Sequence, residues 1–311
     1  MKAIILKEFG GVENLQIAEI AAPEIKENEV LIRVKAISIN PVDAKSRAGK
    51  GVAKILKDED PIILGWDISG VVVGSNSAKF KEQDEVFGMV NFPGHGKAYA
   101  EYVAVPAEQL AIKPANVSHE DAAAATLAAL TAWQNLTKFY EVKKGDRILI
   151  HAASGGVGHY AVQMAKHLGA YVIGTSSAYN KDFAMSLGLD EFIDYKSQKF
   201  QEMVSNIDMV LDTIGGDNID PSLDVTKKGG TVISIPSGLN EAVKEKAKEK
   251  GINGINTMVV SSGTDMEAIA RLLADGSVKS HVTGIYTFDE MDKAHLQIES
   301  GSTRGKVVVL V

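Results

Sequence analysis

The chain has 311 residues, 45% of them hydrophobic and 23% charged, and carries a formal net charge of −7 at pH 7. This length accommodates two cores, and the acidic balance argues against nucleic acid or an anionic membrane as a partner. There are no cysteines, which excludes disulfides, thiolate catalysis and cysteine-ligated zinc or iron–sulfur centres.

The chain starts MKAIILKEFGG, with an apolar run of only four residues before Lys7 and Glu8. That is too short for a secretory signal core. The longest small-apolar run, AAAATLAAL at 122–130, falls well short of a membrane span and reads as a buried helix. A cytoplasmic location is expected. VLIRVKAIS (30–38) alternates Ile32, Val34 and Ala36 on one face with Arg33 and Lys35 on the other, which predicts a half-buried strand. Further strands are expected at 68–74, 85–90 and 98–105, separated by Gly, Asn and Lys turns, so the first part reads as an antiparallel, partly barrel-like unit.

The rhythm changes near 118. Ser118 followed by Asp121 is a capping-box pattern that opens the alanine-rich helix. Strand-like runs at 147–151, 171–175, 208–212 and 231–235 then alternate with helical stretches, the pattern of a parallel sheet with crossover helices. EAVKEKAKEK (241–250) reads as a charged helix with a solvated face. Two more helices follow from about 264. The last run, KVVVLV (306–311), has no neighbour in the parallel unit and is expected to return to the first domain.

Between RILI (147–150) and the helical pattern of 158–169 lies HAASGGVG (151–158). Ala153, Gly155 and Gly158 form A-x-G-x-x-G, one residue away from the dinucleotide fingerprint. Small residues allow a tight turn, close approach of backbone to pyrophosphate, and close helix–strand packing, while the helix N-terminus offers N–H donors. A glycine triplet also fits a strand–helix turn with no ligand. Its place after a strand, before a helix and ahead of a second strand favours a dinucleotide. At the end of that second strand the chain has Ser176 and Ser177, with Lys181 beyond, where an NAD site usually offers an acid. Hydroxyls and a cation suit a 2′-phosphate, hence NADP(H). A serine-rich loop with one solvated lysine is the alternative.

Taken together and in order, residues 38–49, 64–72, 98–102, 151–158, 191–195, 210–216 and 305–310 make the chain resemble the zinc-independent quinone oxidoreductases and enone reductases of the medium-chain dehydrogenase/reductase superfamily, the zeta-crystallin-like branch. The resemblance implies an α/β architecture: a Rossmann dinucleotide-binding domain over 121–263 and a β-rich GroES-like substrate domain from 1–120 and 264–311. It also implies an active-site cleft between them and a homodimer. By position, Ser154, Gly155, Gly156, Val157 and Gly158 would hold the pyrophosphate, with Ser177, Lys181 and Tyr195 around the 2′-phosphate. Thr213, Ile214, Gly215, Ile235 and Pro236 would line the nicotinamide, and Asn40 and Thr131 would contact the cofactor. Many relatives have arginine where this chain has Tyr179, which leaves Lys181 as the main cation. Asn40, Asp43, Lys45, Trp66 and Tyr99 would face the substrate, with Lys45 the catalytic candidate. His295 reads as structural.

The zinc-dependent relatives have Gly-His-Glu where this chain has Gly65-Trp66-Asp67, so a histidine ligand is missing and no metal is expected. His159 and His167, eight apart on one helix, lack chelating spacing. Ser154 is outside G-x-S-x-G, so a nucleophile elbow is not indicated. Without a Lewis acid, the electrophile has to be activated by hydrogen bonds or a cation, which suits a quinone or a conjugated carbonyl. The expected activity is NADPH-dependent reduction of such small molecules. An enoyl-thioester reductase and a non-catalytic NADPH-binding protein remain as alternatives.

Overall fold

The computed structural model describes all 311 residues. They divide into two compact units, Met1–Leu130 with Val259–Val311, and Thr131–Met258. The domain bounds that the resemblance implies fall at 120/121 and 263/264, whereas the units change at Leu130/Thr131 and Met258/Val259. The helix His119–Ala124 stays with the first unit because Ala123 and Ala124 are buried against Ala36 and Val308 of its sheet.

In the second unit, six short strands form one parallel sheet. Its spatial order is Glu191–Asp194, Tyr171–Ser176, Arg147–Ile150, Ile207–Asp212, Thr226–Ser234 and Asn253–Asn256. Numbered along the chain this is 3-2-1-4-5-6, the doubly wound order of dinucleotide-binding sheets. Ile148, Leu149, Ile150, Val172, Ile173, Val210, Leu211, Val232 and Ile233 are all fully buried. These continuous apolar runs are what a sheet covered on both faces requires. Each such side chain contributes roughly 1.5–3 kcal/mol of burial. The charged helix is not merely a solvated face. Val243–Glu249 buries Val243 and Ala247, four residues apart and so on one stripe. Against that stripe the neighbouring strand has Gly254, where a Cβ would lie 2.3 Å from the Val243 carbonyl oxygen.

In the first unit, Glu29–Ile39 is the central strand. It pairs antiparallel with Asp67–Ser75, with Tyr102–Pro106 and, as expected, with the last strand, Lys306–Leu310. Glu85–Met89 and Ala111–Ile112 extend one side, and Val282–Thr287 adds parallel to the last strand. Ile32, Val34 and Ala36 are buried, as their alternation predicts. A separate three-stranded sheet joins Leu15–Glu19, Lys2–Leu6 and Ile62–Ile63.

Two expectations need correction here. The strand expected at 98–105 starts only at Tyr102, because the peptide groups before it have other partners. Tyr99 N–H donates to the Leu64 carbonyl at 3.0 Å, and its own carbonyl accepts Ile4 N–H at 2.8 Å. The alanine-rich stretch is two helices, His119–Ala124 and Leu127–Gln134. Ser118 caps the first by accepting Asp121 N–H at 3.1 Å. At the break, Thr126 Oγ1 donates to the Ala123 carbonyl at 2.8 Å, and Leu127 N–H donates to the Asp67 carboxylate at 3.0 Å.

Candidate active site

In the second unit the candidate residues gather at the C-terminal ends of the strands, around the point where the chain order reverses. A ligand is expected in such a place. The turn after Arg147–Ile150 is tight. Gly155 N–H donates to the Ala152 carbonyl at 2.8 Å, and Ala152 itself takes a left-handed φ of 49°. Ala153 N–H donates to the Thr175 carbonyl at 2.9 Å, which stitches the turn to the second strand. The two outer glycines do different work. A Cβ on Gly158 would lie 2.1 Å from the Ala152 carbonyl oxygen and 2.8 Å from Ala153 Cα, so this glycine is needed for packing. A Cβ on Gly155 would meet only Ala152, its oxygen at 3.2 Å and its Cβ at 3.8 Å. Gly155, Gly156 and Val157 are half-buried, and the helix Gly158–His167 starts immediately after them. The result is a bare-backbone cradle ahead of a ten-residue helix, which fits an anionic pyrophosphate.

The serines separate. Ser176 is 3% exposed, and its hydroxyl is hydrogen-bonded to that of Ser154 at 2.6 Å. The pair braces the turn, and the Ser176 hydroxyl, expected at a 2′-phosphate, is buried in it. Ser177 is half-buried, while Lys181 and Tyr195 are exposed. Tyr179, at 86% exposure, stands at the same rim. Asp194 was not singled out from the sequence. Its carboxylate accepts Ala178 N–H at 3.1 Å and fastens the loop that presents Ser177 and Lys181. The Ser197 hydroxyl holds Asp194 below the usual carboxylate range.

Asp212 was also missed. It is fully buried and ends the fourth strand. One oxygen accepts the N–H groups of Ile214 and Gly215 and the Asn218 amide, each at 3.0 Å. The other accepts the Ser234 hydroxyl at 2.7 Å. A residue with that many acceptor bonds shapes the Thr213–Gly215 segment. Thr213 Oγ1 donates to the His151 carbonyl at 2.9 Å, which ties the fourth-strand loop to the glycine turn. Gly215 has φ 72°, and a Cβ there would fall 2.8 Å from Leu239. Ile214 is exposed, and Ile235 and Pro236 are half-buried nearby in the chain after Ser234. Thr131 is nearly buried. His151 is buried between Thr175 Oγ1 and Ser222 Oγ, both at 3.1 Å, and burial pushes its pKa down.

In the first unit, Asn40, Asp43, Trp66 and Tyr99 are enclosed, and their polar atoms are engaged within the unit. Asn40 Nδ2 donates to Asp67 at 2.7 Å, and Asn40 Oδ1 accepts from Lys306 Nζ. Trp66 Nε1 donates to the Gly94 carbonyl at 2.8 Å, and its ring stands edge-on to Phe92. Asp43 accepts Asn40 N–H at 2.8 Å and the Tyr99 hydroxyl at 3.0 Å; that hydroxyl also bonds His295 Nε2 at 2.9 Å. These four were expected to face the substrate, and Asn40 the cofactor as well. All four are buried in the structure. Lys45, half-buried on the helix Pro41–Arg47, is the candidate nearest solvent.

This cluster is rich in ionisable groups without water. Burial, with the nearby Asp67 charge, raises the Asp43 carboxyl to about 7. Burial also raises Asp67 and Tyr99, lowers Lys306, and lowers His295 to about 3. His295 is therefore neutral at neutral pH. With Asp43 ionised, the chain of donors runs from His295 Nε2–H to Tyr99 O and from Tyr99 O–H to Asp43.

Residues 26–115 match the alcohol dehydrogenase GroES-like domain, and residues 187–309 match a domain described as zinc-binding dehydrogenase. Among curated relatives, the Arabidopsis thaliana chloroplastic NADPH-dependent alkenal/one oxidoreductase is 35% identical over 99% of this chain and 79% of its own length. Among solved structures, the quinone oxidoreductase from Coxiella burnetii is 37% identical, with a TM-score of 0.95 over 100% of this chain and 99% of that one. The Escherichia coli quinone oxidoreductase complexed with NADPH is 29% identical, with a TM-score of 0.87 over 100% of both chains. The zinc in the second domain's description finds no donor set here. No three His, Cys, Asp or Glu side chains converge on a point that could hold a metal ion. The residues present do not fit the ion.

Two predictions follow from this geometry. Gly158→Ala should lower the urea midpoint clearly more than Gly155→Val does, whereas Gly155→Val should abolish dinucleotide binding in calorimetry; undiminished binding would remove the cradle assignment. The second concerns pH. The raised Asp43 pKa means that the native state holds this proton more tightly than the unfolded chain, so the associated stability is present at low pH and lost as pH rises through about 7. The stability of Asp43→Asn relative to wild type should therefore increase between roughly pH 5 and pH 8 in urea denaturation, and a constant difference would contradict the shift.

Proposed function

The chain belongs to the quinone and enone oxidoreductases of the medium-chain dehydrogenase/reductase superfamily, and on that premise we propose that it reduces quinones or α,β-unsaturated carbonyls with NADPH. The observation that carries this reading is the bare-backbone turn at Gly155–Gly158, at the reversal point of a 3-2-1-4-5-6 parallel sheet and followed by Ser177 and Lys181. NADPH, when bound, supplies the hydride. This chain's residues bind and orient it. The turn and the following helix take the pyrophosphate, and Ser177, Lys181 and Tyr195 take the 2′-phosphate. Thr213, Ile214, Gly215, Ile235 and Pro236 bound the nicotinamide, with Thr131 beside them. Asp212 sets the shape of that wall.

At the substrate, negative charge develops on oxygen as the conjugated system is reduced. Lys45 is the residue assigned to stabilise it. An ammonium offers up to three donors and the right charge. The lack of a converging metal donor set supports a reaction that needs no zinc. A quinone or an enone accepts this kind of activation, whereas oxidation of a simple alcohol calls for a stronger Lewis acid or base. The reading also includes a homodimer, supported by the terminal strand Asn253–Asn256, which pairs on one side only. It further includes a cytoplasmic location, supported by a chain free of cysteine. No helix is long and apolar enough to cross a membrane.

Lys181→Ala should raise the NADPH Michaelis constant about tenfold or more, since a charge-assisted hydrogen bond is worth roughly 1.5–3 kcal/mol, and should leave NADH kinetics nearly unchanged. Equal use of both cofactors by the wild type would refute the assignment. Lys45→Ala should lower enone turnover roughly 10- to 100-fold, with a smaller loss for an activated quinone and NADPH affinity held within about twofold. Steady-state kinetics with both substrates decides this, and enone turnover equal to wild type would remove Lys45 from the reaction.

A further inference from the structure

The helix Pro41–Arg47 is seven residues long. A helix this short is not stable by itself, so its position depends on what holds it. Two of its side chains reach the same distant element, the helix Met291–Glu299. Asp43 does so through Tyr99, whose hydroxyl lies 3.0 Å from the Asp43 carboxylate and 2.9 Å from His295 Nε2. Arg47 does so directly, through its ion pair with Glu299. Asp43 and Arg47 are four residues apart, as are His295 and Glu299, so each pair occupies one helix face. Lys45 is two residues from both Asp43 and Arg47, which puts it about 200° around the helix from the face they share. One face is gripped at both ends, and the lysine is on the other.

Both grips are built for rigidity. The Tyr99 ring packs against Gly65, where a Cβ would fall 2.2 Å from a ring carbon, and stands edge-on to the His295 ring at 5.7 Å. Arg47 is 3% exposed and its Nη2 pairs with Glu299, so Glu299 is the carboxylate that compensates a buried guanidinium. The Arg47 carbonyl also accepts Gly10 N–H at 2.8 Å, which anchors the helix end to the N-terminal segment.

We propose that the helix Met291–Glu299 is a two-point clamp on the helix Pro41–Arg47, and that Tyr99, His295 and Glu299 are positioning residues for Lys45. This rests on the reading of Lys45 as the group that stabilises the substrate oxygen. It explains why a buried tyrosine–histidine pair with no access to solvent is joined to the helix of an enone-reducing lysine.

The test is a set of cycles in the full-length enzyme. Tyr99→Phe, His295→Leu and Glu299→Ala are each made alone and together with Lys45→Ala. Enone turnover, NADPH affinity and the urea midpoint are measured for every variant. Each single variant should lose roughly tenfold in enone kcat, in keeping with the effect of a small misplacement of a reacting group. NADPH affinity should stay within about twofold, since the clamp lies outside the dinucleotide cradle. In the Lys45→Ala background the same substitutions should cause no further loss. His295→Gln keeps a donor near the Nε2 position and should recover most of the rate lost in His295→Leu. Wild-type turnover in Tyr99→Phe, losses that multiply in full with Lys45→Ala, or failure of His295→Gln to recover any rate in a variant whose urea midpoint is wild-type would each overturn the clamp while leaving Lys45 in place. Wild-type enone turnover in Lys45→Ala alone overturns the reading of Lys45, and the clamp's role with it.

Discussion

A carboxylate removed from water must find its hydrogen bonds inside the protein, and the first unit is organised around one that does. Asp67 is fully buried. One oxygen accepts Leu127 N–H and the other accepts the Asn40 amide. Asn40 in turn accepts from Lys306, whose ammonium also reaches the Ile39 carbonyl at 3.2 Å. Burial opposes charge on both Asp67 and Lys306, and their mutual attraction opposes that shift. Neither would be tolerable alone, because an uncompensated buried charge costs several kcal/mol. Four segments far apart in sequence are thereby held in one arrangement: the start of the helix that bears Lys45, the start of the strand Asp67–Ser75, the start of the helix Leu127–Gln134, and the last strand.

The second unit solves a similar problem with a different residue. Asp212 stands where the fourth strand ends, and the backbone beyond it must turn sharply through a left-handed glycine. Its carboxylate collects the N–H groups that this turn leaves unpaired. The glycine turn at 155–158 has little side chain of its own to set its form. It depends instead on the buried Ser154–Ser176 pair for its shape. In both units, then, buried polar groups fix the geometry of the loops and helix ends around them.

Local patterns explain why much of this was legible in the sequence. The alternation of Ile32, Val34 and Ala36 marked a half-buried strand, Ser118 marked a helix start, and the strand–glycine–helix order marked the dinucleotide turn; each signal spans a few residues. What could not be read depends on contacts across long separations. Tyr99 meets Asp43 across 56 positions and His295 across 196. Nothing near AYAEY shows that Tyr99 points inward. The same holds for Ser176, whose neighbour Ser177 has the same chemistry and a different exposure. Lys306 did carry a signal, since a lysine that opens an all-apolar run has to be partnered. The stripe of Val243 and Ala247 was also present but lay among lysines and glutamates that suggested a wholly solvated helix.

The pairing of the last strand with the central strand of the first unit has a consequence for how the chain is made. Val307 to Leu310 align with Ala36 to Ile39, nearly the whole chain away. During synthesis, residues 131–258 are complete and contiguous before this partner exists, so the parallel-sheet unit can close on its own, while the strand Glu29–Ile39 keeps part of one edge open until residues 306–310 have left the ribosome. Contacts of such separation are slow to form, and an unpaired edge invites the wrong strand. The short, strongly apolar VVVL segment, which brings its own buried lysine to meet Asn40, is therefore the closing step of assembly as well as a strand.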